Sequence, residues 1–195
     1  MEFVVKKTDE ETLYKLILSL VVPRPIAWVS TISKEGVLNI APFSFFNAVN
    51  DAPPVLMISV SNREDGRLKD TVKNILDTKE FVINMVSEEL LEKMKKTGED
   101  FPPEVDEFKE AGLTPEPSRF VVAPRIKEAK VSFECKLYKY LPIYDMHVIF
   151  GEVLLIKVND EILEENIKIN YEKYKPVGRL GGAYYLKAYG ECKIK

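Results

Sequence analysis

The sequence has no glutamine, one histidine (His147), one tryptophan (Trp28) and two cysteines (Cys135 and Cys192) among 195 residues. A single histidine excludes sites built from several imidazoles, such as a His₃ zinc centre, within one chain. The cysteines stand 57 positions apart with no neighbour at metal-ligand spacing, which argues against a Cys/His structural zinc site. They have the option of one disulfide, but a single bridge is not a disulfide scaffold. Both lie in apolar, strand-like runs and read as buried free thiols, which points to the cytoplasm. A dominant charge sign is also lacking: 28 Lys and Arg face 31 Asp and Glu, for a formal net charge of −3. That balance offers no footprint for phosphate-neutralising nucleic-acid binding. Long hydrophobic runs are missing too. LILSLVV at 16–22 falls short of a bilayer span, and the charged opening MEFVVKKTDEE is not a signal peptide. No nucleic-acid or membrane partner is expected.

What is present is apolar material at 46% of residues, enough for a core and too much for a disordered chain. The length predicts one domain over 1–195. Abundant Lys and Glu without Gln resemble the compositional bias of hyperthermophile proteins, which bears on the host and not on the activity.

Leu13, Leu16, Ile17 and Leu20 fall at helical spacing and predict a helix over 9–20, ended by the prolines of Val-Val-Pro-Arg-Pro. IAWVSTI (26–32), a turn at Ser33–Gly36, and a long strand over 37–49 bent at Pro42 predict a hairpin. A strand at 55–60, a helix from Leu68 to Leu76 and a strand at 80–84 follow. Ser87 suits the N-cap of a helix over 88–98, and a short helix is expected at 106–112. The last third reads as strands at 130–141, 147–158 and 183–194. In the first of these, Val131, Phe133, Cys135 and Leu137 alternate with Ser132, Glu134 and Lys136, the pattern of a half-buried antiparallel strand. Hairpin order with helices inserted late predicts a mainly β antiparallel barrel with helices on its rim. No glycine-rich phosphate loop is present.

Several clusters offer chemistry. PRPIAWVST (23–31) carries Ser30 and Thr31 beside Trp28, or is simply a strand with one polar face. In APFSFFNAVN (41–50), Ser44, Asn47 and Asn50 interrupt Phe43, Phe45 and Phe46. These polar groups either bond to backbone at a bulge or face a planar polar ligand. SVSNREDGRLKDT (59–71) places Ser59, Ser61, Arg63, Arg67, Lys69 and Thr71 between a strand and a helix N-terminus, a natural anion site. The alternative is a solvated loop whose field is partly cancelled by Glu64, Asp65 and Asp70. His147 follows a turn as a lone hydrogen-bond donor or proton carrier, or packs as an ordinary residue. Arg179, Gly181 and Tyr184 in RLGGAYY either meet a flat ligand or form a turn. No Ser-His-Asp arrangement is arguable. Together these point to a phosphorylated, planar cofactor that brings its own reactivity.

The stretch PRPIAWVSTISKEGVLNIAPFSFFNAVNDAPPVLMISV (23–60) closely resembles the opening of the flavin reductase-like, FMN-binding split-barrel family, in its flavoredoxin and archaeal FMN-binding branch. GRLKDTVKNI (66–75), EFVINMV (80–86), VDEFKEAGLTPEPS (105–118), FECKLYKYLP (133–142), HVIFGEV (147–153) and RLGGAYY (179–185) extend the resemblance in order. It implies a six-stranded Greek-key split barrel, a homodimer, and FMN at or near the subunit interface. By the same resemblance, Trp28, Ser30, Thr31, Ser44, Phe45, Phe46 and Asn47 line the ring and ribityl chain. The Ser59, Ser61, Arg63, Lys69, Asp70 and Thr71 stretch holds the phosphate, with Arg63, Lys69 and Thr71 preferred. His147 lies near the flavin or nicotinamide, and Arg179, Gly181 and Tyr184 wall the ring. One departure is Tyr-Asp-Met before His147, where relatives often have Gly-Asp. The activity implied is NAD(P)H-dependent, flavin reductase-type transfer through FMN to free flavin, ferric iron or another small-molecule or protein acceptor. The alternatives are a flavoredoxin-type electron carrier without efficient NAD(P)H oxidation and a barrel that has lost flavin.

Overall fold

The computed structural model describes residues 1–190; Cys192 and the end of the strand expected over 183–194 lie outside the described residues. Helix α1 (Glu10–Leu20) starts where the Asp9 carboxylate accepts the Thr12 N–H at 2.8 Å, an N-cap that occupies an otherwise orphaned donor. None of its residues is buried. The short strand β1 (Arg24–Pro25) leads into β2 (Ala27–Ile32). A turn with Gly36 at φ +86° returns the chain as β3 (Leu38–Phe43).

The expected long strand then divides. It breaks at Ser44–Phe45, and β4 (Phe46–Asp51) pairs with β5 (Pro54–Ser61), not with β2. Helix α2 (Asp70–Thr78), β6 (Glu80–Met85), a 3₁₀ turn at 88–90, and helices α3 (Leu91–Lys96) and α4 (Glu107–Glu110) follow. The single helix expected over 88–98 is therefore a 3₁₀ turn plus a six-residue helix, and Ser87 makes no side-chain cap bond. A two-residue pair, β7 (Pro115–Glu116) with β8 (Arg125–Ile126), precedes the long hairpin β9 (Val131–Ile143) and β10 (Met146–Val158). Helix α5 (Tyr171–Tyr174), β11 (Val177–Arg179) and β12 (Tyr185–Lys187) complete the order.

The main sheet runs β3-β2-β6-β9-β10-β5-β4, antiparallel throughout. Its two edge strands are consecutive in the chain. The sheet therefore curls until its edges meet at Ser44–Phe45, where the Phe45 carbonyl accepts the Ser59 N–H at 2.8 Å. This is a split barrel, with seven strands where six were expected because Ser44–Phe45 makes two strands of one. Val29, Ile58, Phe81, Ile83 and Ile149 fill its interior. A second core of Trp28, Ile40, Met94, Phe108 and Ile126 lies outside, under α3 and α4. β2 is thus covered on both faces, which is why its first five residues are all buried.

The alternation expected in β9 fails at Ser132 and Glu134, both fully buried. The 115–126 segment covers that face. Glu134 accepts the Arg119 and Phe120 N–H groups and the Arg125 guanidinium, which compensates its charge. Cys135 is a buried free thiol, and burial raises its pKa, so it stays protonated. No helix among the described residues is long and apolar enough to cross a membrane.

Candidate functional site

Two clefts meet at the end of β3, around Pro42, Phe43 and Gly98. One, about 270 Å³, runs past Ile26, Ser44, Met94 and Lys95 to Arg179 and Tyr185. There the Arg179 guanidinium lies 4.6 Å from the Tyr185 ring centroid, a cation–π pair that closes the end. The other runs past Asn39 and Glu107 to Arg63, Lys69, Asp70 and Thr71. A third hollow, lined by Arg67, Lys73 and Pro102–Pro103, continues from it.

The basic end has two different cations. Arg63 is held by Asp70 at 2.5 Å and Asp100 at 2.8 Å, so its charge is largely spent within the protein. Lys69 is half-buried and has no ion-pair partner among the described residues. It occupies the N-cap of α2 without a side-chain cap bond. The first-turn N–H groups of α2 therefore meet no capping side chain, beside a lysine and at the positive end of the helix dipole.

A buried polar network forms the wall. Thr31 and Thr71 hydroxyls both donate to Asn39 Oδ1, at 3.1 and 3.0 Å. Asn74 donates to Thr31 at 3.0 Å. Asn39 Nδ2 in turn donates to Glu107 Oε2 at 2.7 Å, and the Ile40 N–H donates to the same oxygen. Burial pushes the Glu107 carboxyl up to about 7 against the opposing Ile40 N–H bond, with nearby Asp70 raising it further.

The structure gathers Ser44, Lys69, Asp70, Thr71, Arg63 and Arg179 around the clefts. Other residues singled out by sequence lie elsewhere. Trp28 is fully buried, and its Nε1–H donates to Thr97 Oγ1 at 2.8 Å, which holds the turn before Gly98. Ser30 is buried against the Pro124 carbonyl and Asn84. Thr31 reaches the cleft only through Asn39. Phe46 belongs to the barrel interior, Phe45 contributes its carbonyl to the barrel corner, and Asn47 is exposed and bonded to the Ala48 N–H. Ser59 and Ser61 pair with Val148 and Met146 on the β5–β10 ladder and line none of these clefts.

His147 is 7% exposed, opposite Val60 at one end of the β5–β10 ladder. Its two ring nitrogens contact Tyr140 Oη and Asn62 Oδ1, each at 2.7 Å, and its ring stacks on Tyr140. The neutral tautomer with Nε2–H satisfies both bonds, so this His is a packed and partnered residue. Gly181 does make a close approach, but to a helix: a Cβ there would come within 2.6 Å of Ser19 Oγ on α1. Tyr184 is 74% exposed and Tyr185 lines the cleft in its place.

Sequence reasoning missed Arg24, Asn39 and Glu107. Arg24 is buried with no carboxylate partner among the described residues. Its guanidinium donates to the carbonyls of Leu18 (2.5 Å), Val21 (2.9 Å) and Leu180 (3.1 Å) and to Ser44 Oγ (3.2 Å). It therefore ties the end of α1 to the cleft. Its only signal was its place between two prolines. Glu107 sat unmarked in a charged run.

Residues 19–178 match the flavin reductase like domain family. A protein of Aquifex aeolicus is 79% identical over 195 residues, covering 100% of both chains. The solved structure of nitrilotriacetate monooxygenase component B from Bacillus cereus superposes with a TM-score of 0.94 at 33% identity, covering 100% of this chain and 98% of the other. The 2-nitrobenzoate 2-nitroreductase of Pseudomonas fluorescens gives 0.91 at 33%, covering 100% and 95%. A flavoredoxin of Desulfovibrio vulgaris shares the fold, with a TM-score of 0.80 at 22% identity, covering 100% and 97%.

Proposed function

The chain belongs to the flavin reductase like domain family, and on that premise we propose that it is an FMN-dependent oxidoreductase. In this reading NAD(P)H is the donor, and free flavin, ferric iron or another small-molecule or protein acceptor takes the electrons. The observation that carries the reading is the N-terminus of α2, without a side-chain cap, beside a Lys69 that has no ion-pair partner among the described residues, inside a cleft with Pro42 and Phe43 as an apolar wall. That combination fits a phosphate joined to a flat, largely apolar ring.

FMN, when bound, supplies the hydride and electron chemistry. The chain's own work is binding and orientation. Lys69 and the α2 amides hold the phosphate. The backbone of β3 and the Thr97–Gly98 turn, fixed by Trp28, border the apolar part. Arg179 and Tyr185 close one end. The protein is also proposed to act as a homodimer. In support, β9 and β10 leave Tyr138, Leu141, Ile143, Leu154 and Ile156 at 40–66% exposure, and α1 leaves Ile17 and Leu20 at 52% and 72%.

The test has two steps. Titration with FMN, followed by fluorescence quenching, is expected to show saturable binding that Lys69→Ala weakens about tenfold, the worth of one charge-assisted contact. Arg63→Ala is expected to weaken it less, because Asp70 and Asp100 already share that charge. Anaerobic mixing of the loaded protein with NADH and with NADPH is then expected to bleach the flavin. If neither does so while a chemical reductant does, the electron-carrier reading replaces this one.

A further inference from the structure

Glu107 has no part in the binding contacts above, yet it faces the same cleft as Lys69 and Thr71. The residue is 7% exposed. Its Oε2 is occupied by Asn39 and the Ile40 N–H, while its Oε1 has no hydrogen-bond partner among the described residues. An ionised carboxylate there meets water only along its Oε1 edge and is poorly solvated. The charged groups around it come from three elements. The start of α2 and the lead into it contribute Asp70, Arg63 and Lys69; the turn after α3 contributes Glu99 and Asp100; the N-cap of its own helix contributes Asp106. Arg63 is already bound to Asp70 and Asp100, so the surroundings do little to neutralise Glu107.

Resting on the flavin reading, we propose that Glu107 makes binding of the phosphate end proton-linked. Its carboxyl takes up one proton from solvent when a phosphate dianion settles beside Lys69, so the cleft accepts the anion only with Glu107 neutral. The physical cause is Coulombic. A dianion and a carboxylate in one low-dielectric cleft repel, and the carboxylate relieves the repulsion by protonation. The neutral carboxyl keeps its Oε2 as acceptor for Asn39 and Ile40 and carries its proton on Oε1. Since the Glu107 carboxyl is already raised to about 7, uptake is nearly complete before binding at pH 6 and must accompany binding at pH 8.

The experiment is FMN affinity measured from pH 6 to 8.5 for the native protein and for Glu107→Gln, with riboflavin as the phosphate-free control. The Gln variant keeps an acceptor for Asn39 and Ile40. Uptake of one proton weakens binding by at most about tenfold per pH unit. The native protein is therefore expected to lose about tenfold in FMN affinity relative to Glu107→Gln between pH 7 and pH 8.5, and riboflavin binding is expected to show no such difference. The phosphate's own ionisation is common to both proteins and cancels in the ratio. Calorimetry of the native protein at pH 8 in two buffers of different ionisation enthalpy reads the proton directly, whether or not the variant folds. Parallel pH profiles, or zero proton uptake, overturn the proposal while leaving FMN binding standing. No FMN binding at any pH overturns both this proposal and the flavin reading.

Discussion

Glu107 and Asn84 show how much a single polar side chain decides in this molecule. Glu107 ionises in the folded chain near pH 7, against about 4.5 ordinarily. The folded state thus holds its proton more tightly than the unfolded state. That contribution to stability is complete below about pH 4.5 and is lost as the pH rises through 7. Thermal melts from pH 4.5 to 7.5 are expected to show native stability falling relative to Glu107→Gln. Asn84 is fully buried. It donates to the Trp28 carbonyl and Ser30 Oγ and accepts from the Ile126 N–H and Ser132 Oγ. Asn84→Ala leaves several buried groups unpaired and is expected to cost about 2–4 kcal/mol in chemical denaturation. Gly151→Ala acts through shape instead. Its Cβ would stand 2.4 Å from Phe81 Cζ, and an overpacking loss of about 1–3 kcal/mol is expected in the same assay.

At the scale of elements, α1 and α2 contrast. Helix α2 inserts Val72 and Ile75 into the barrel core and presents its N-terminus to the cleft. Helix α1 has its cap but no buried residue, and so depends on Arg24. Arg24→Ala removes the donors that occupy the Leu18 and Val21 carbonyls near the C-terminal end of α1. Hydrogen exchange over residues 10–20 is expected to accelerate at least about tenfold, the equivalent of one lost charge-assisted bond, while exchange in β6 and β9 stays unchanged. The 3.6-residue spacing of Leu13 to Leu20 was enough to predict the helix. Its anchor was not legible, because an arginine between two prolines gives no sign of which carbonyls will come within reach.

At the scale of the whole molecule, the barrel leaves apolar surface on β9, β10 and α1. Sedimentation is expected to give a dimer mass for the native chain and a shift toward monomer for Ile156→Lys, since burying an unpaired ammonium at an apolar contact is costly. Strand periodicity, the turn at Gly36, the prolines and the order of motifs were all local patterns. They sufficed for a mainly β barrel of a flavin-related family. Closure was another matter. Only tertiary pairing could show that β3 and β4 part at Ser44 and carry the two edges of one sheet, because hydrogen bonds between distant strands leave no mark on neighbouring residues. The same holds for the site. Trp28, Ser30 and His147 have the same chemistry in a cleft as in a core, and only the packing around them put their polar atoms against Thr97, Pro124, Tyr140 and Asn62. Glu107, one acid in a charged run, became a distinctive group only when folding took water away from it.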